Sequence, residues 1–255
     1  MKKFLSLAMA VLFAGSAVAL DNVPKAGASF QANVGFNITN ISGLTMNPKV
    51  GANVGLKFEY MLPNAYGTYL NAGVNWTQKG ARITTSETIG FETPSEANPD
   101  AEPTPISGDV TSKLQSHYLE IPIHVGYRYN ISKNLGVYGE VGPYFATGVT
   151  GKYKKIYDDD EIDTQHRMLF KKDAAELFAP QSGITGVRVF QRFDCGFGFR
   201  VGVEYNNQYS LNLGGDWGFT DMYTNDYRKA FKEKYKVPVA EAKNFNFTVT
   251  FGYRF

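Results

Sequence analysis

The feature that most constrains the fold is a strict alternation of apolar and polar residues, repeated along the chain. Between Lys49 and Tyr60 the even positions are Val, Ala, Val, Leu, Phe and Tyr, whereas the odd positions are Lys, Gly, Asn, Gly, Lys and Glu. A period of two places successive side chains on opposite faces of a β-strand. Seven more segments alternate in this way, the sixth of them more weakly: Ala28–Ile38, Thr68–Thr77, Leu119–Tyr129, Leu135–Phe145, Asp194–Tyr205, Tyr209–Phe219 and Asn244–Phe255.

Soluble β-sandwiches and transmembrane β-barrels both show this alternation, so the composition of the polar faces separates the two classes. The polar faces of a sandwich would be rich in Lys and Glu, but here they are mainly Gly, Asn, Ser and Thr. Small residues suit the narrow lumen of a small barrel. Closed bacterial single-chain barrels have an even number of strands, which eight satisfies. Each predicted strand is also long enough to cross a thin bilayer when tilted. We therefore expect an all-β fold, an eight-stranded antiparallel transmembrane β-barrel.

The lengths of the connections alternate as well. The links after the second, fourth and sixth predicted strands are short, whereas those after the first, third, fifth and seventh are long. This pattern predicts short periplasmic turns and long extracellular loops. The region Ser86–Val110 is acidic and proline-rich, so we expect it to be disordered or weakly structured. Short helices are predicted near Asp173–Phe178 and in the last loop, where Tyr227, Phe231 and Tyr235 lie four residues apart.

The N-terminus has the form of a secretory signal peptide. Lys2 and Lys3 precede an apolar run of about a dozen residues, and Ala17-Val18-Ala19 follows as a small-x-small cleavage site. We predict a signal peptide over residues 1–19 and an outer-membrane barrel domain over residues 20–255. No later stretch reaches about 18 apolar residues, which excludes a membrane-spanning helix. One cysteine, Cys195, excludes an internal disulfide framework. Location in the outer membrane of a Gram-negative bacterium follows.

The C-terminal strand carries a row of apolar residues that ends on the last residue. This row resembles the C-terminal strand signal that the barrel-assembly machinery recognises, and it comprises Phe247, Val249, Phe251, Tyr253 and Phe255. We expect that machinery and the outer-membrane lipid to be partners of the chain. Removal of Lys2 and Lys3 leaves 24 of the 26 basic residues against 24 acidic ones, a balance that gives no indication of nucleic-acid binding.

Three segments resemble a known family. They are YLEIPIHVGYRY (Tyr118–Tyr129), VYGEVGPYFATGVTGK (Val137–Lys152) and RFDCGFGFRVGVEY (Arg192–Tyr205), which are similar to the strand sequences of PorT-like outer-membrane β-barrel proteins. That family is common in Bacteroidetes. The resemblance implies an eight-stranded barrel. Because the founding members of that family are implicated in protein secretion across the outer membrane, it also implies a role in secretion. It implies no catalytic residues, and it does not extend to the long loops.

Charged residues of both signs lie on the polar faces and are predicted to point into the lumen. The predicted cluster comprises Glu120, His124, Arg128, Glu140, Arg200 and Glu204, and Lys57, Glu59 and Arg254 belong to the same faces. Because His124, Glu140 and Arg200 lie at similar heights, we expect Glu140 to pair with Arg200. Eight strands enclose a space that side chains can fill, so these charges would neutralise one another as a plug.

The sequence predicts no catalytic, metal or cofactor site. Among its three histidines, His124 is expected to be structural and His117 has no companion acid at a recognisable spacing. The run Asp158–Glu161 lacks the spacing and glycine of an EF-hand. Cys195 falls in the lipid-facing register. We expect a structural or interaction barrel, acting in secretion or surface assembly through a protein bound by its extracellular loops. A narrow channel for small solutes and a lipid-modifying enzyme are the alternatives.

Overall fold

The computed structural model describes residues 26–43, 46–92, 104–157, 164–166, 170–172 and 183–255. Within them, eight long strands, one short strand and one helix are formed. The elements are β1 (Gly27–Ser42), β2 (Asn47–Met61), β3 (Thr68–Glu92), β4 (Thr104–Asn130), β5 (Leu135–Tyr157), β6 (Thr164–His166), β7 (Phe193–Tyr205), β8 (Tyr209–Gly218), α1 (Asn225–Tyr235) and β9 (Lys243–Arg254).

The eight long strands close into a barrel. Each pairs antiparallel with its neighbours in the order β4-β3-β2-β1-β9-β8-β7-β5, and β5 also pairs with β4, which completes the ring. β6 pairs only with the extracellular part of β5, opposite Tyr153 to Lys155. The predicted all-β, eight-stranded antiparallel barrel is therefore confirmed. Within the described residues, no helix has the length and apolar character needed to span a bilayer.

The burial of side chains is the reverse of that in a soluble protein. On β2, Val50 and Leu56 are 66% and 63% exposed on the outer surface, whereas Lys57 and Glu59 are 8% and 2% exposed in the interior. The same reversal holds around the ring, with Phe30, Leu70, Ile123, Val201 and Leu211 all exposed. An outer face of this kind is stable only against lipid, since apolar surface in water is costly.

The short connections match the sequence prediction. The chain turns between strands at residues 62–67, 131–134 and 206–208, all at the end of the barrel that also holds both termini of the described chain. In the last of these turns Asn206 and Asn207 have φ angles of 53° and 55°. Asparagine tolerates this left-handed conformation because its side chain can form local hydrogen bonds.

The prediction for Ser86–Val110 is wrong in the part that the structure describes. β3 continues to Glu92 and β4 begins at Thr104, and Ser86 lies directly opposite Asp109. The hydroxyl of Ser86 donates a hydrogen bond of 2.8 Å to Asp109 Oδ1. The β-branched residues of ITTSETI (residues 83–89), which spans the start of this region, favour strand, and the ladder already formed nearer the membrane is extended. Residues 93–103 lie outside the described chain, as do the signal peptide, Asp158–Glu161 and the helix near Asp173–Phe178.

Deletion of Phe255 is expected to reduce insertion into the membrane strongly. Its backbone N–H donates to the carbonyl of Phe30 at 2.9 Å, and its ring, 74% exposed, ends the apolar row of β9 beside the seam with β1. Surface levels and protease-sensitive material in the periplasm would be measured for the deletion and for Phe219→Ala, which removes an exposed aromatic ring outside β9. Normal surface levels of the deletion variant would contradict the assignment of an assembly signal.

Candidate functional site

The periplasmic end of the lumen is closed by a cluster of two arginines and two glutamates. Arg128 on β4 donates two hydrogen bonds to Glu59 on β2, of 2.6 and 2.9 Å. Arg254 on β9 donates to Glu204 on β7 at 2.7 Å and lies 3.2 Å from Glu59. Paired, charge-assisted hydrogen bonds of this geometry are the strong class of polar contact. Four strands are thereby joined across the interior.

A second cluster surrounds Glu140 in the middle of the barrel. Its carboxylate accepts hydrogen bonds from Lys57 Nζ at 3.2 Å, Tyr69 hydroxyl at 3.0 Å and Asn71 Nδ2 at 2.9 Å. His124 Nδ1 lies 3.5 Å from the other oxygen of Glu140. All of these side chains project inward from β2, β3, β4 and β5, because they occupy the polar register of their strands.

The predicted pair of Glu140 with Arg200 is wrong as a side-chain contact. The two residues are directly opposite in the β5–β7 register, but Arg200 donates to Asp216 on β8 at 2.7 and 3.0 Å. Glu140 already has its own donors, and the long side chain of Arg200 extends along the neighbouring strand β8, past Gly214, to Asp216. Gly214 permits this path, since a Cβ there would collide with the side chain of Arg200.

A third cluster lies nearer the extracellular end and is centred on Lys79. This side chain, 2% exposed, lies 3.0 Å from Glu120 and 3.1 Å from Asp194. The ring centre of Tyr144 lies 4.5 Å from its ammonium group. Sequence reasoning missed Lys79, Asp194 and Asp216 as members of the lumen set. Lys79 lies just past the end of the predicted third strand, whereas the polar register of β7 contained a usable signal for Asp194.

All six residues of the predicted lumen cluster project into the interior, but they are spread along its length, and the periplasmic and middle clusters are linked by Lys57, which lies 3.9 Å from Glu59 and 3.2 Å from Glu140. Glu204 and Arg128 belong to the periplasmic cluster and lie 3.4 Å apart. His124 and Glu140 belong to the middle one, and Glu120 joins Lys79 nearer the outside. Between the charged groups a polar cavity of about 60 Å³ remains, with room for a few water molecules.

Cys195, His117 and the C-terminal row all lie on the outward faces of their strands. Cys195 is half-buried in the outward register, with its Sγ 3.3 Å from the hydroxyl oxygen of Thr220. His117 faces outward and its ring stacks on Trp76 at 5.3 Å between centroids. The C-terminal row, including Phe251 and Tyr253, lies on the outer surface.

Above the Lys79 cluster the interior changes from charged to apolar. The upper strands and the loops enclose a cluster of buried residues that comprises Ile41, Ala81, Leu114, Tyr118, Tyr144, Ala146, Tyr153, Phe170, Ile184, Val189, Phe190, Met222, Tyr227 and Ala242. A cavity of about 160 Å³ lies within it, lined by Ile41, Leu114, Phe190 and Met222 among others. The extracellular end of the barrel is therefore closed by packed apolar side chains.

Helix α1 forms a lid over this apolar layer and confirms the helix predicted from the aromatic spacing. Thr224 caps its N-terminus by accepting a hydrogen bond from the Tyr227 N–H at 3.2 Å, and Lys236, with φ 60°, ends it in the left-handed conformation. Tyr227 is buried against the barrel. Asp221 anchors the preceding segment through an ion pair with Arg228 and a bond from the Ala242 N–H at 3.2 Å.

Comparison with known proteins identifies the family. A family model described as an outer membrane protein beta-barrel domain matches residues 21–224 of the 255 residues. The chain belongs to this family. As an outer-membrane β-barrel protein it resides in the outer membrane, in agreement with the closed ring of strands and its apolar outer face.

Several solved structures are similar to this outer-membrane barrel protein. Neisserial surface protein A is 12% identical with a TM-score of 0.38, covering 90% of this chain and 99% of its own. Ail of Yersinia pestis is 12% identical with a TM-score of 0.33, covering 89% and 99%. The N-terminal β-barrel domain of Pseudomonas aeruginosa OprF is 8% identical with a TM-score of 0.31, covering 91% and 100%. None of the curated protein sequences matches this chain.

Proposed function

We propose that this protein is a structural or interaction barrel, closed to solutes, whose extracellular cap, formed by helix α1 and the rest of the segment 220–242, binds a protein partner. The observation that carries the proposal is the filling of the lumen by three ionic clusters in succession, around Arg128, Glu140 and Lys79. An eight-stranded barrel has an interior that side chains can occupy, and this one uses long charged side chains to do so. The surface available for recognition is then the folded extracellular part.

The exposed face of α1 has the chemistry of a docking surface for an acidic protein segment. It presents the exposed basic residues Lys229, Lys232, Lys234 and Lys236, with Glu233 as an acidic residue between them. Burial of Tyr227 fixes the helix to the barrel, so these side chains are held on an ordered element. Opposite charge on a partner would steer its approach and set its orientation.

The resemblance of three strands to PorT-like proteins supports a more specific proposal, namely a role in protein secretion or surface assembly. Membership in the outer-membrane barrel family is compatible with that role, and with insertion by the barrel-assembly machinery. We also propose that the protein is not an enzyme. His124 is buried and engaged with Glu140, and His117 faces outward against Trp76, so neither is placed beside a nucleophile.

Planar-bilayer recording separates this function from the runner-up, a narrow solute channel. The wild-type protein is expected to give no stepwise conductance, because charged side chains occlude its lumen. Exchange of both Glu59 and Arg128 for serine removes a paired anion and cation together, which costs less than removing one partner. This double variant would enlarge the periplasmic vestibule of about 500 Å³, which those residues line, but the clusters around Glu140 and Lys79 and the apolar layer above them stay in place, so it is also expected to give no stepwise conductance. Stepwise currents from the wild type would favour the channel.

A further inference from the structure

Basic residues form rows on the outer wall of the barrel, on the extracellular side of the apolar band. Arg82 on β3 lies directly opposite Lys113 on β4, and Lys113 lies directly opposite Lys154 on β5. Nearer the membrane, Lys152 lies opposite Gln115. Paired residues share a face of the sheet, and their immediate neighbours Ala81, Leu114 and Tyr153 are buried inside the barrel. The basic residues therefore face outward.

One further basic residue belongs to this surface. His117 lies opposite Gln78, on the same outward register of β4. We name this surface the cationic wall patch: Arg82, Lys113, His117 and Lys152.

The cationic wall patch is unfavourable in isolation. Like charges directly opposite each other on neighbouring strands destabilise a sheet. Among the residues that the structure describes, none of its Lys and Arg side chains has a carboxylate at ion-pair distance. Elsewhere on the outer wall, Lys243 is paired with Glu241 at 2.8 Å. The uncompensated charge is therefore a local feature, and an anion from outside the chain would relieve it.

The lower edge of the patch lies at the height of the head groups of the outer leaflet. The apolar band ends at Trp76, Leu119 and Val149; His117 and Lys152 lie two and three residues beyond it, and Arg82 and Lys113 lie six residues beyond Trp76 and Leu119. At a rise of about 3.3 Å per residue, His117 and Lys152 begin about 7–10 Å along the strands from the band, and Arg82 and Lys113 about 20 Å, from where their long side chains can reach back toward the membrane. The head-group region adds roughly 5–8 Å to each side of the hydrocarbon core. The stacked Trp76 and His117 rings lie at this boundary, where aromatic residues are enriched.

An apolar groove runs along the outer wall below the patch. It has a volume of about 510 Å³ and is lined by Val34, Val54, Leu56, Val74, Trp76, Leu119, Phe251 and Tyr253 among others. Trp76 and Leu119 lie at its extracellular end, next to the cationic residues, and Phe251 and Tyr253 lie toward the periplasm. A charged site above a long apolar groove matches the two parts of an anionic lipid.

We propose that the cationic wall patch binds the phosphate groups of a glycolipid of the outer leaflet, with an acyl chain in the groove below. Arg82 can hold a phosphate by two parallel hydrogen bonds, and the lysines contribute ammonium charges that attract it. The site is distinct from the partner-binding cap of the proposed function, since it lies on the membrane-facing wall and not on α1.

Titration of the purified full-length protein with phosphorylated lipid A in detergent, read by native mass spectrometry, tests the proposal. The patch variant combines Arg82→Gln, Lys113→Gln and Lys152→Gln. Each Lys or Arg near an anionic surface contributes a comparable share of the attraction, so the triple variant is expected to bind about a hundredfold more weakly. A matched variant combines Lys229→Gln, Lys232→Gln and Lys234→Gln on α1, and its affinity is expected to stay within about twofold of the wild type.

Titrations with two further ligands, dephosphorylated lipid A and inorganic phosphate, identify the source of the phosphate. Dephosphorylated lipid A is expected to bind the wild type as weakly as phosphorylated lipid A binds the patch variant, and inorganic phosphate is expected not to displace the lipid. Equal affinity of the patch variant and the wild type would overturn the proposal. So would binding of inorganic phosphate as tight as that of the lipid, which would mean a free-anion site. Heat-modified mobility on gels verifies folding, and Lys152→Gln alone, expected to lose about five- to tenfold, serves if the triple variant does not fold.

Discussion

Replacement of Lys79 by methionine is expected to destabilise the folded barrel by about 3–5 kcal/mol, because it leaves buried carboxylates without their cation. Lys79 lies between Glu120 and Asp194 at 3.0 and 3.1 Å, and all three side chains are almost fully excluded from solvent. Methionine keeps the length of the chain and much of its volume. The effect is therefore electrostatic and does not come from a cavity.

The free energy of unfolding would be measured by denaturant titration in detergent micelles, with the folded fraction read from mobility on unheated gels. Lys243→Met is the matched control, since it removes a lysine from an exposed pair with Glu241 that contributes about 0–1 kcal/mol. Combining Lys79→Met with Glu120→Gln and Asp194→Asn should restore much of the loss, because the unpaired charges are removed. Equal losses in the two lysine variants would show that the third cluster does not stabilise the barrel.

Much of this fold could be predicted from the sequence because lipid and a packed lumen act on alternate residues of every strand. That constraint fixed the number of strands, the outward register of Cys195 and the alternation of short turns with long connections. The inward direction of Glu120, Glu140 and Arg200 followed from the same register. A period of two is a local property, so it needs no knowledge of what lies across the barrel.

The partners of the lumen charges could not be predicted in the same way. A strand pattern gives the face on which Arg200 lies but not the reach of its side chain, which passes Gly214 to Asp216 on β8. The apolar layer was missed for a different reason. Above the membrane β3, β4 and β5 no longer face lipid, so apolar residues such as Val110, Leu114 and Tyr118 point inward and polar ones outward, while backbone pairing continues. The acidic, proline-rich composition of Ser86–Val110 predicts a disordered or weakly structured segment, although both of its ends continue the ladder.

The cap gives the second large expected effect. Exchange of Lys229 and Lys232 for glutamate on α1 is expected to reduce capture of a protein partner tenfold or more, and to abolish its dependence on salt. Both side chains are exposed, so the barrel should remain folded. Removal of the whole segment 220–242 would be a poorer test. Met222, Tyr227 and Ala242 belong to the buried apolar layer, and their loss would expose it.

The experiment is a pull-down from detergent-solubilised membranes, with the captured proteins identified by mass spectrometry and surface exposure of each variant verified by protease shaving. Lys171→Glu combined with Lys172→Glu is the matched control, because these residues are exposed and carry the same charge away from α1. A partner that is lost only with the α1 variant is bound by the cap. If the partner is retained by both variants, the proposed role of the cap is wrong. Attention then moves to the periplasmic turns at residues 62–67, 131–134 and 206–208, where Arg128 and Arg254 lie close to the opposite mouth of the barrel.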